Sequence, residues 1–389
     1  MRRVVLLFFA GLCSICSYGQ TTTPALSQEF IYDGASFPSC HASTIVELQN
    51  GDLLAAWFGG QYEGHPDVKI WTSRKYYGAT RWTHPVVAAD GTFQKENGEW
   101  KMKNGAELAR IAGLDSTDHG RKACYNPVLC QMPDGEVLLF FKIGRFVQDW
   151  TGWLVRSRDN GLTWSEKEPL PEGFLGPVKN KPELTSDGRL LCPSSTEKEG
   201  WKIHFEAYQL DKNGHFPEGK NLSARATMIG PVVAEQAVKT FEDEPSPIGC
   251  IQPSILRLAD GRLKVLCRSQ NGRLATSYSS DEGRTWTPVV LSNLPNNNSG
   301  TDAVTLKDGR HVLVYNPVAT PKGENGGART PLTVAVSDDG EHWRQLATLE
   351  DSHISEYSYP AVISGRDGTL HITYTWRREL IRYAELRLH

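Results

Sequence analysis

The sequence lacks the patterns of several common protein classes. None of the 6 cysteines after residue 19 forms a Cys-x-x-Cys pair and no His-Glu-x-x-His segment occurs, so we predict neither a metal nor another cofactor. The formal net charge is only −3 at pH 7, so we expect no broad basic surface and no nucleic-acid partner. Methionine is scarce, at 4 residues, whereas 11 Trp, 13 Tyr, 36 Gly and 22 Pro favour many short strands joined by turns.

Long apolar runs are also missing, apart from one at the N-terminus. Arg2-Arg3 precedes an apolar stretch from Val4 to Cys16, and small residues flank Tyr18 just after it. This pattern predicts a secretory signal peptide over residues 1–19. A retained membrane anchor, or lipidation of a cysteine in the stretch, are the alternatives. We therefore expect a bacterial protein that is periplasmic or secreted, with no transmembrane segment in its mature chain.

The cysteines of the mature chain indicate little redox chemistry. Several lie in apolar strand contexts, where a buried free thiol is expected. One disulfide is the alternative, because three of them each precede the first strand of a repeat. The six residues are Cys40, Cys124, Cys130, Cys192, Cys250 and Cys267.

A strand–turn–strand unit occurs six times and is clearest from Glu356 to Arg378. There Ala361 to Ile363 form an apolar strand, Asp367-Gly368 provides a tight turn, and apolar and polar residues then alternate. The copies recur every roughly 50 to 85 residues, the spacing of a four-stranded blade with variable loops. Their turns are Asn50-Gly51, Asp134-Gly135, Asp187-Gly188, Asp260-Gly261, Asp308-Gly309 and Asp367-Gly368.

A second motif follows several copies. Residues 157–164 and 279–286 both fit Ser-x-Asp-x-Gly-x-Thr-Trp, and residues 336–343 form a looser version. The Asp and Gly favour a tight turn between the third and fourth strands of a blade, and the Trp is expected to pack between blades. We assign this motif to the scaffold and not to chemistry.

The six units predict an all-β fold, a six-bladed β-propeller, as a single domain over residues 20–389. The chain ends too early to supply the outer strand of blade six, so we expect the strand near Phe30 to fill that place and close the ring. Residues 86–122 are an insertion between blades one and two, in which residues 105–114 could form a short helix.

The inner strands of a propeller begin at one mouth of the central channel, so polar residues at these starts are expected to converge. We predict a ligand site there, with polar plugging of the channel as the alternative. The residues are His41, Tyr125, Asn126, Asn180, Lys181, Gln252, Asp302 and Tyr357.

Cations gather at the same mouth, at the ends of second strands and in loops. Their excess in a nearly neutral protein indicates an anionic ligand, and the planar fork of arginine suits a carboxylate. They are Arg121, Lys142, Lys179, Arg268, Arg329, Arg377 and Arg378.

These motifs resemble those of the sialidase (neuraminidase) superfamily, in which the Ser-x-Asp-x-Gly-x-Thr-Trp segments are known as Asp-boxes or BNR repeats. The resemblance covers nearly all of the mature chain. It implies that Tyr357, in the step Tyr357-Ser358, is the nucleophile, and that Arg268 and Arg329 hold the substrate carboxylate. It places the general acid in the loop from Glu63 to Val68, where we favour Asp67 slightly over Glu63.

Two positions depart from the family pattern. His41 stands in the blade-one segment where the family has an arginine, and Gln252 stands where a glutamate assists the tyrosine. Tyr357 therefore needs another activator, for which we favour His41 because imidazole titrates near neutrality.

Three functions follow from this combination. The first is an exo-acting glycosidase for a terminal acidic sugar, sialic acid or a related 2-keto-3-deoxy sugar, with a tyrosine nucleophile. The second is β-elimination from a uronate, with His41 and Tyr357 as base and acid. The third is a non-catalytic glycan-binding propeller. We expect an acidic glycan as partner and a monomeric protein, with Asn126, Asn180, Lys181, Asp302 and Arg377 among the substrate-binding residues.

Overall fold

The computed structural model describes residues 25–96, 99–101, 110–115, 117–234, 238–239, 245–321 and 323–388. The predicted signal peptide and residues 105–109 of the expected insertion helix lie outside these ranges. Within them, none of the helices has the length and apolar character that a membrane crossing requires. The six cysteines from Cys40 to Cys267 are free thiols, and all but Cys130 are buried.

The first half of the chain forms three antiparallel sheets, each of four strands. Strand β1 (Ala25–Phe30) precedes blade 1, which comprises β2 (Ser39–Glu47), β3 (Leu53–Gly60), β4 (Lys69–Lys75) and β5 (Val86–Ala89). A hairpin in the insertion follows, with β6 (Gln94–Glu96) and β7 (Glu99–Lys101). Blade 2 comprises β8 (Ala123–Gln131), β9 (Val137–Gly144), a 3₁₀ turn (Val147–Asp149), β10 (Thr151–Ser157) and β11 (Glu168–Pro169). Blade 3 comprises β12 (Glu183–Leu184), β13 (Arg189–Thr196), β14 (Lys202–Gln209), helix α1 (Lys220–Ala224) and β15 (Ala226–Ile229).

The second half adds three more sheets. A two-stranded hairpin, β16 (Val238–Lys239) and β17 (Pro245–Ser246), precedes blade 4. Blade 4 comprises β18 (Cys250–Arg257), β19 (Leu263–Ser269), β20 (Arg273–Ser279) and β21 (Val290–Pro295). Blade 5 comprises β22 (Asp302–Thr305), β23 (His311–Tyr315), β24 (Leu332–Ser337) and β25 (Arg344–Glu350). Blade 6 comprises β26 (Tyr357–Ser364), β27 (Leu370–Trp376) and β28 (Leu380–Arg387).

The ring closes through the N-terminal strand. Strand β1 pairs antiparallel with β28, from Ala25 opposite Arg387 to Phe30 opposite Arg382, and so supplies the fourth strand of blade 6. The inner strand β2 of blade 1 also contacts β26 of blade 6 and β8 of blade 2. The predicted six-bladed β-propeller is confirmed, and so is its closure by the strand before blade 1.

Aromatic and aliphatic side chains fill the layers between blades. Phe205 of blade 3 and Trp286 of blade 4 stack with their ring centroids 4.0 Å apart. The turn that carries this tryptophan is held by Ser279, whose hydroxyl accepts a bond of 2.9 Å from the Gly283 amide, and by Asp281, whose carboxylate bonds the Thr285 amide at 2.9 Å. This turn joins the third and fourth strands of blade 4, whereas the mouth of the channel lies where the inner strands begin.

Four inner strands are irregular at the same point near the mouth. The register slips in β2, β8, β18 and β26, where Ala42, Asn126, Gln252 and Tyr359 adopt left-handed backbones, with φ of 53°, 38°, 58° and 52°. A non-glycine residue in this region costs on the order of 1–3 kcal/mol. Each bulge re-aims the side chains around it, as bulges beside functional sites commonly do.

Candidate active site

Tyr359 lies at the centre of the mouth of the channel. Its hydroxyl accepts a hydrogen bond from Arg268 Nη1 and a longer one of 3.3 Å from Gln252 Nε2. Both partners are donors, and one of them carries a full charge. The two bonds therefore stabilise negative charge on the phenol oxygen.

Cations surround the Tyr359 ring. The guanidinium carbons of Arg268 and Arg329 each lie 5.7 Å from its centroid, and Lys179 Nζ lies 6.0 Å away. Arg268 is itself fixed, because its Nε donates to Asn298 Oδ1 at 3.0 Å and its guanidinium covers the Trp201 ring at 4.8 Å. The result is a concentrated positive field around one aromatic hydroxyl.

Glu356 links two further cations at the edge of this cluster. One carboxylate oxygen accepts from Arg329 Nη1 at 2.8 Å, from Arg378 Nε at 2.9 Å and from the Ser358 hydroxyl at 2.8 Å. Burial opposes ionisation of Glu356, but the two guanidinium groups outweigh it and hold the pKa of the carboxyl below its ordinary value. Glu356 thus orients Arg329 and Arg378 on one side of the mouth, while Arg268 approaches Tyr359 from blade 4.

His41 packs against Tyr359 from the neighbouring blade, and the two ring centroids are 4.1 Å apart. Its Nδ1 bonds the Thr375 hydroxyl at 2.9 Å, whereas its Nε2 has no hydrogen-bond partner among the described residues. Burial, followed by the charges of Arg378 and Arg329, lowers the pKa of His41 well below its usual value. The imidazole is therefore neutral at physiological pH.

The structure places Tyr357, the tyrosine favoured from the sequence, elsewhere. Its side chain is 3% exposed and packs in the apolar layer between blades 5 and 6, with its ring 6.4 Å from that of Trp376. In a regular strand Tyr357 and Tyr359 would face the same side. The bulge between Ser358 and Ala361 separates them, and it brings only Tyr359 beside the arginines.

Three of the predicted binding residues are used to join blades. Lys181 Nζ bonds both carboxylate oxygens of Asp302 at 2.9 Å, and Asp302 also accepts from the Val362 amide at 2.8 Å. The Asn180 side chain donates to the Gln252 carbonyl at 2.8 Å. These contacts connect blades 3 to 6 around the channel, which is the plugging role that the sequence left as an alternative.

The remaining predicted residues divide between the site and its rim. Asn126 is buried at the bulge of β8, and its carbonyl lies 3.4 Å from Lys142 Nζ. The guanidinium carbon of Arg377 lies 5.0 Å from the centroid of the Trp376 ring, and its Nη2 lies 3.8 Å from Glu379 Oε1. Arg377 therefore belongs to the β27–β28 turn. Its neighbour Arg378 is the residue that reaches the cluster through Glu356.

The two candidate acids of the loop differ in their surroundings. Asp67 bonds His65 Nδ1 at 2.6 Å and the Gln61 amide at 3.1 Å, so its carboxylate shapes its own loop. Glu63 extends towards the mouth and accepts from Arg378 Nη1 at 2.5 Å. The structure thus brings Glu63 to the cluster and leaves Asp67 at its margin.

Sequence reasoning missed a further carboxyl group, Glu197. It follows β13 at the mouth, and its neighbours include Trp201 and Arg268. Burial raises the pKa of Glu197, and the charge of Arg268 and a hydrogen bond from Trp201 only partly offset this. A carboxyl group with a raised pKa beside a cationic cluster has the properties of a proton donor. No periodic signal in the sequence marks this position.

Taken together, the residues can bind an anion and stabilise an aromatic oxyanion. Arg268, Arg329 and Arg378 present guanidinium groups suited to a carboxylate. The chemistry available is nucleophilic or basic at Tyr359 and acidic at Glu63 or Glu197. Among the described residues, no group of three or more His, Cys, Asp or Glu side chains is placed to hold a metal ion.

Several solved structures share this fold at low sequence identity. A protein of unknown function from Dyadobacter fermentans superposes with a TM-score of 0.66 at 14% identity, covering 94% of this chain and 99% of its own. The intramolecular trans-sialidase from Ruminococcus gnavus superposes with a TM-score of 0.64 at 14% identity, covering 93% of this chain and 97% of its own. The NanB sialidase from Streptococcus pneumoniae superposes with a TM-score of 0.62 at 12% identity, covering 92% of this chain and 70% of its own. These similarities concern the fold alone.

Sequence comparison identifies the family. A sialidase of Paraclostridium sordellii is 28% identical over an alignment of 256 positions, and the match covers 58% of this chain and 56% of that protein. This chain therefore spans about half the length of that relative. The BNR repeat-like domain matches residues 51–372, which is most of the chain. The protein belongs to the BNR repeat-like domain family.

Proposed function

We propose that the protein is an exo-acting glycoside hydrolase that removes a terminal acidic sugar, sialic acid or a related 2-keto-3-deoxy sugar, from a glycan. The observation that carries the proposal is the Tyr359 hydroxyl, bonded by Arg268 and Gln252 and surrounded by cations. Family membership and the similarity to a sialidase support a glycosidase.

In this reaction Arg268, Arg329 and Arg378 bind the carboxylate of the terminal sugar. The Tyr359 oxygen, as phenolate, attacks the anomeric carbon, and the bond from this carbon to the leaving oxygen breaks. A carboxyl group at the rim, Glu63 or Glu197, gives its proton to the leaving oxygen. Water then attacks the glycosyl-tyrosine, returns a proton to the same carboxylate and releases the free sugar and the Tyr359 phenolate.

A tyrosine suits such a substrate better than a carboxylate nucleophile. The anomeric carbon of a 2-keto sugar carries its own carboxylate, which repels a second anion. The phenol can approach in its neutral form and lose its proton within the cationic cluster. The same cations disfavour a charged imidazole at His41, so the phenol proton leaves to solvent and does not remain on the histidine.

A second candidate is a lyase that eliminates from a uronate on the same scaffold. Two observations favour it. Gln252 supplies an amide where a base would assist the tyrosine, and its Oε1 has no partner among the described residues. His41 Nε2 is neutral, buried and equally without a partner there. In this reaction the arginines neutralise the uronate carboxylate, and His41 and Tyr359 act as base and acid. A third candidate, a glycan-binding propeller, would have neither activity.

One experiment separates these functions. The protein is incubated with sialylated oligosaccharides and with uronate-terminated glycans, while free sugar and the ultraviolet absorbance of an unsaturated product are both followed. The hydrolase is supported if the wild type releases free acidic sugar and the Tyr359→Phe variant does not. A new unsaturated chromophore identifies the lyase, and binding without turnover across the panel identifies the lectin. Sugar release that survives Tyr359→Phe contradicts the mechanism above.

Export is part of the proposal, since a glycan substrate lies outside the bacterial cytoplasm. The N-terminal sequence supports cleavage after residue 19. The proposal takes residues 20–389 as one domain and the protein as a monomer. Intact-mass measurement of protein expressed with its native N-terminus tests the cleavage, and light scattering tests the monomer.

A further inference from the structure

A cavity of 410 Å³ lies beside the candidate active site, between the Glu63–Asp67 loop and the insertion that precedes blade 2. This volume falls within the range of about 300–1,000 Å³ that is usual for small-molecule sites. Loop residues Gly64 and Pro66 line one side of it, and Arg121, Lys122 and Arg145 are among the residues that line the other.

The cavity adjoins the mouth through a single loop. Glu63 bonds Arg378 in the cluster, and the next residue, Gly64, lines the cavity. A Cβ atom at Gly64 would lie 3.5 Å from the hydroxyl of Tyr125, at the start of blade 2. A glycan with its terminal sugar among the arginines would therefore place its second sugar near this loop.

Two of the three cations that line the cavity are already neutralised. Arg145 bonds Asp118 and Asp115 at 2.7 Å each. Lys122 Nζ donates to the carbonyls of Ala112 and Gly113, and a carboxylate oxygen of Asp149 lies 3.9 Å from it. These groups shape the wall but have little charge to offer a ligand.

Arg121 differs from them. Its side chain is exposed, and no carboxylate of the described part of the chain lies within ion-pair distance of it. Its backbone is fixed, because its amide donates to the Asp118 carbonyl at 2.9 Å and it forms a β-bridge with Thr92. A guanidinium group on a rigid backbone at the edge of a cavity is suited to bind a carboxylate.

We infer that this cavity is a second subsite, in which Arg121 binds the carboxylate of an acidic second sugar. The inference rests on the proposed function for the identity of the first sugar. With this subsite, the protein prefers glycans in which two consecutive sugars are acidic.

Equilibrium titration of the full chain with two probes tests this subsite. Disialyllactose has an acidic second sugar, whereas sialyllactose has a neutral one. We expect Arg121→Gln to weaken binding of disialyllactose about tenfold, as the loss of one charged hydrogen bond predicts, and to leave sialyllactose unchanged. Arg121→Lys should retain part of the preference. Arg81→Gln, the same change at an exposed site on the opposite face, should alter neither affinity.

The outcomes separate this inference from the proposed function. Equal affinity of wild type and Arg121→Gln for disialyllactose overturns the subsite, and so does failure of the wild type to bind it. An equal loss for both probes also overturns it, since Arg121 would then act on the first sugar or on folding. Binding needs no catalysis, so wild-type protein that binds with the expected preference but cleaves neither probe contradicts only the hydrolase.

Discussion

The imidazole ring of His41 lies against the phenol ring of Tyr359, with the two planes inclined at 48°. The first residue comes from blade 1 and the second from blade 6, and each stands at a bulge of its inner strand. These are the two blades that meet where β1 closes the ring. Closure of the propeller and assembly of the site therefore both involve the junction between blades 1 and 6.

The first prediction distinguishes the two tyrosines. Tyr359→Phe removes the oxygen that Arg268 and Gln252 bond, so we expect kcat to fall by at least about 10³-fold, as for loss of a nucleophile. Tyr357→Phe keeps the packing of a buried ring and should retain activity within about threefold. Sugar release is measured for both variants under the same conditions. Loss of activity in Tyr357→Phe alone, in a folded protein, would restore the assignment made from the sequence.

A second prediction concerns Gln252. Its Nε2 is 3.3 Å from the Tyr359 hydroxyl and can only donate to it. A carboxylate in this place accepts the phenol proton, so Gln252→Glu should raise hydrolysis several-fold and give the pH profile of kcat a new ionisation. Gln252→Ala is the matched control and should show no new ionisation. For a lyase we expect the opposite result with Gln252→Glu, because the added negative charge weakens binding of the uronate carboxylate.

The fold could be predicted from the sequence because blades are local units. Turn residues and strand alternation recur within each copy, so they report the architecture without long-range information. The closure by β1 followed from counting strands. The site was harder, because its geometry depends on bulges that break the alternation at Tyr359 and its equivalents. One signal was available: Asn126, Gln252 and Tyr359 all precede a proline, and alignment on these prolines selects Tyr359.

Other differences between the expected and the observed positions have the same origin in contacts between distant residues. Arg377 and Arg378 are adjacent in the β27–β28 turn, and only the path of this turn decides which one meets Glu356. The ion pair of Lys181 with Asp302 joins blades 3 and 5, so neither residue alone shows that the two neutralise each other. Glu197 lies in a loop without periodicity, and its burial beside Trp201 is a tertiary property.

A third prediction tests Glu356 as a positioning residue. It bonds both Arg329 and Arg378, so Glu356→Gln should loosen the carboxylate clamp and raise KM about tenfold, with kcat changed less than threefold. KM and kcat are determined separately with a sialylated substrate. Glu379→Gln, in the nearby exposed turn, is the control and should leave both constants unchanged. A fall in kcat at constant KM would mean that Glu356 acts in the chemical step.

Asp302 should matter for stability. Its side chain is 3% exposed and accepts bonds from Lys181, the Val362 amide and Ser254. Asp302→Ala leaves these donors without a partner, so we expect the free energy of unfolding to fall by about 3–5 kcal/mol. Asp260→Ala, in an exposed turn, should change it by less than about 1 kcal/mol. Urea unfolding measures both, and a stable Asp302→Ala variant that fails to bind glycan would return Asp302 to the substrate site.

The final prediction uses the neutral state of His41. Its pKa in the folded protein is well below that of an ordinary histidine, which is about 6.5. At a pH between these two pKa values, the unfolded chain binds more protons than the folded one. The free energy of unfolding therefore falls as the pH decreases below about 6.5. The contribution of one such group approaches about 1.4 kcal/mol per pH unit. His41→Gln should therefore show a shallower loss of stability between pH 7 and pH 5 than the wild type, measured by urea unfolding at several pH values. His84→Gln, at an exposed position, should follow the wild-type slope. An unchanged slope in His41→Gln would mean that His41 takes up its proton in the folded protein as readily as in the unfolded chain.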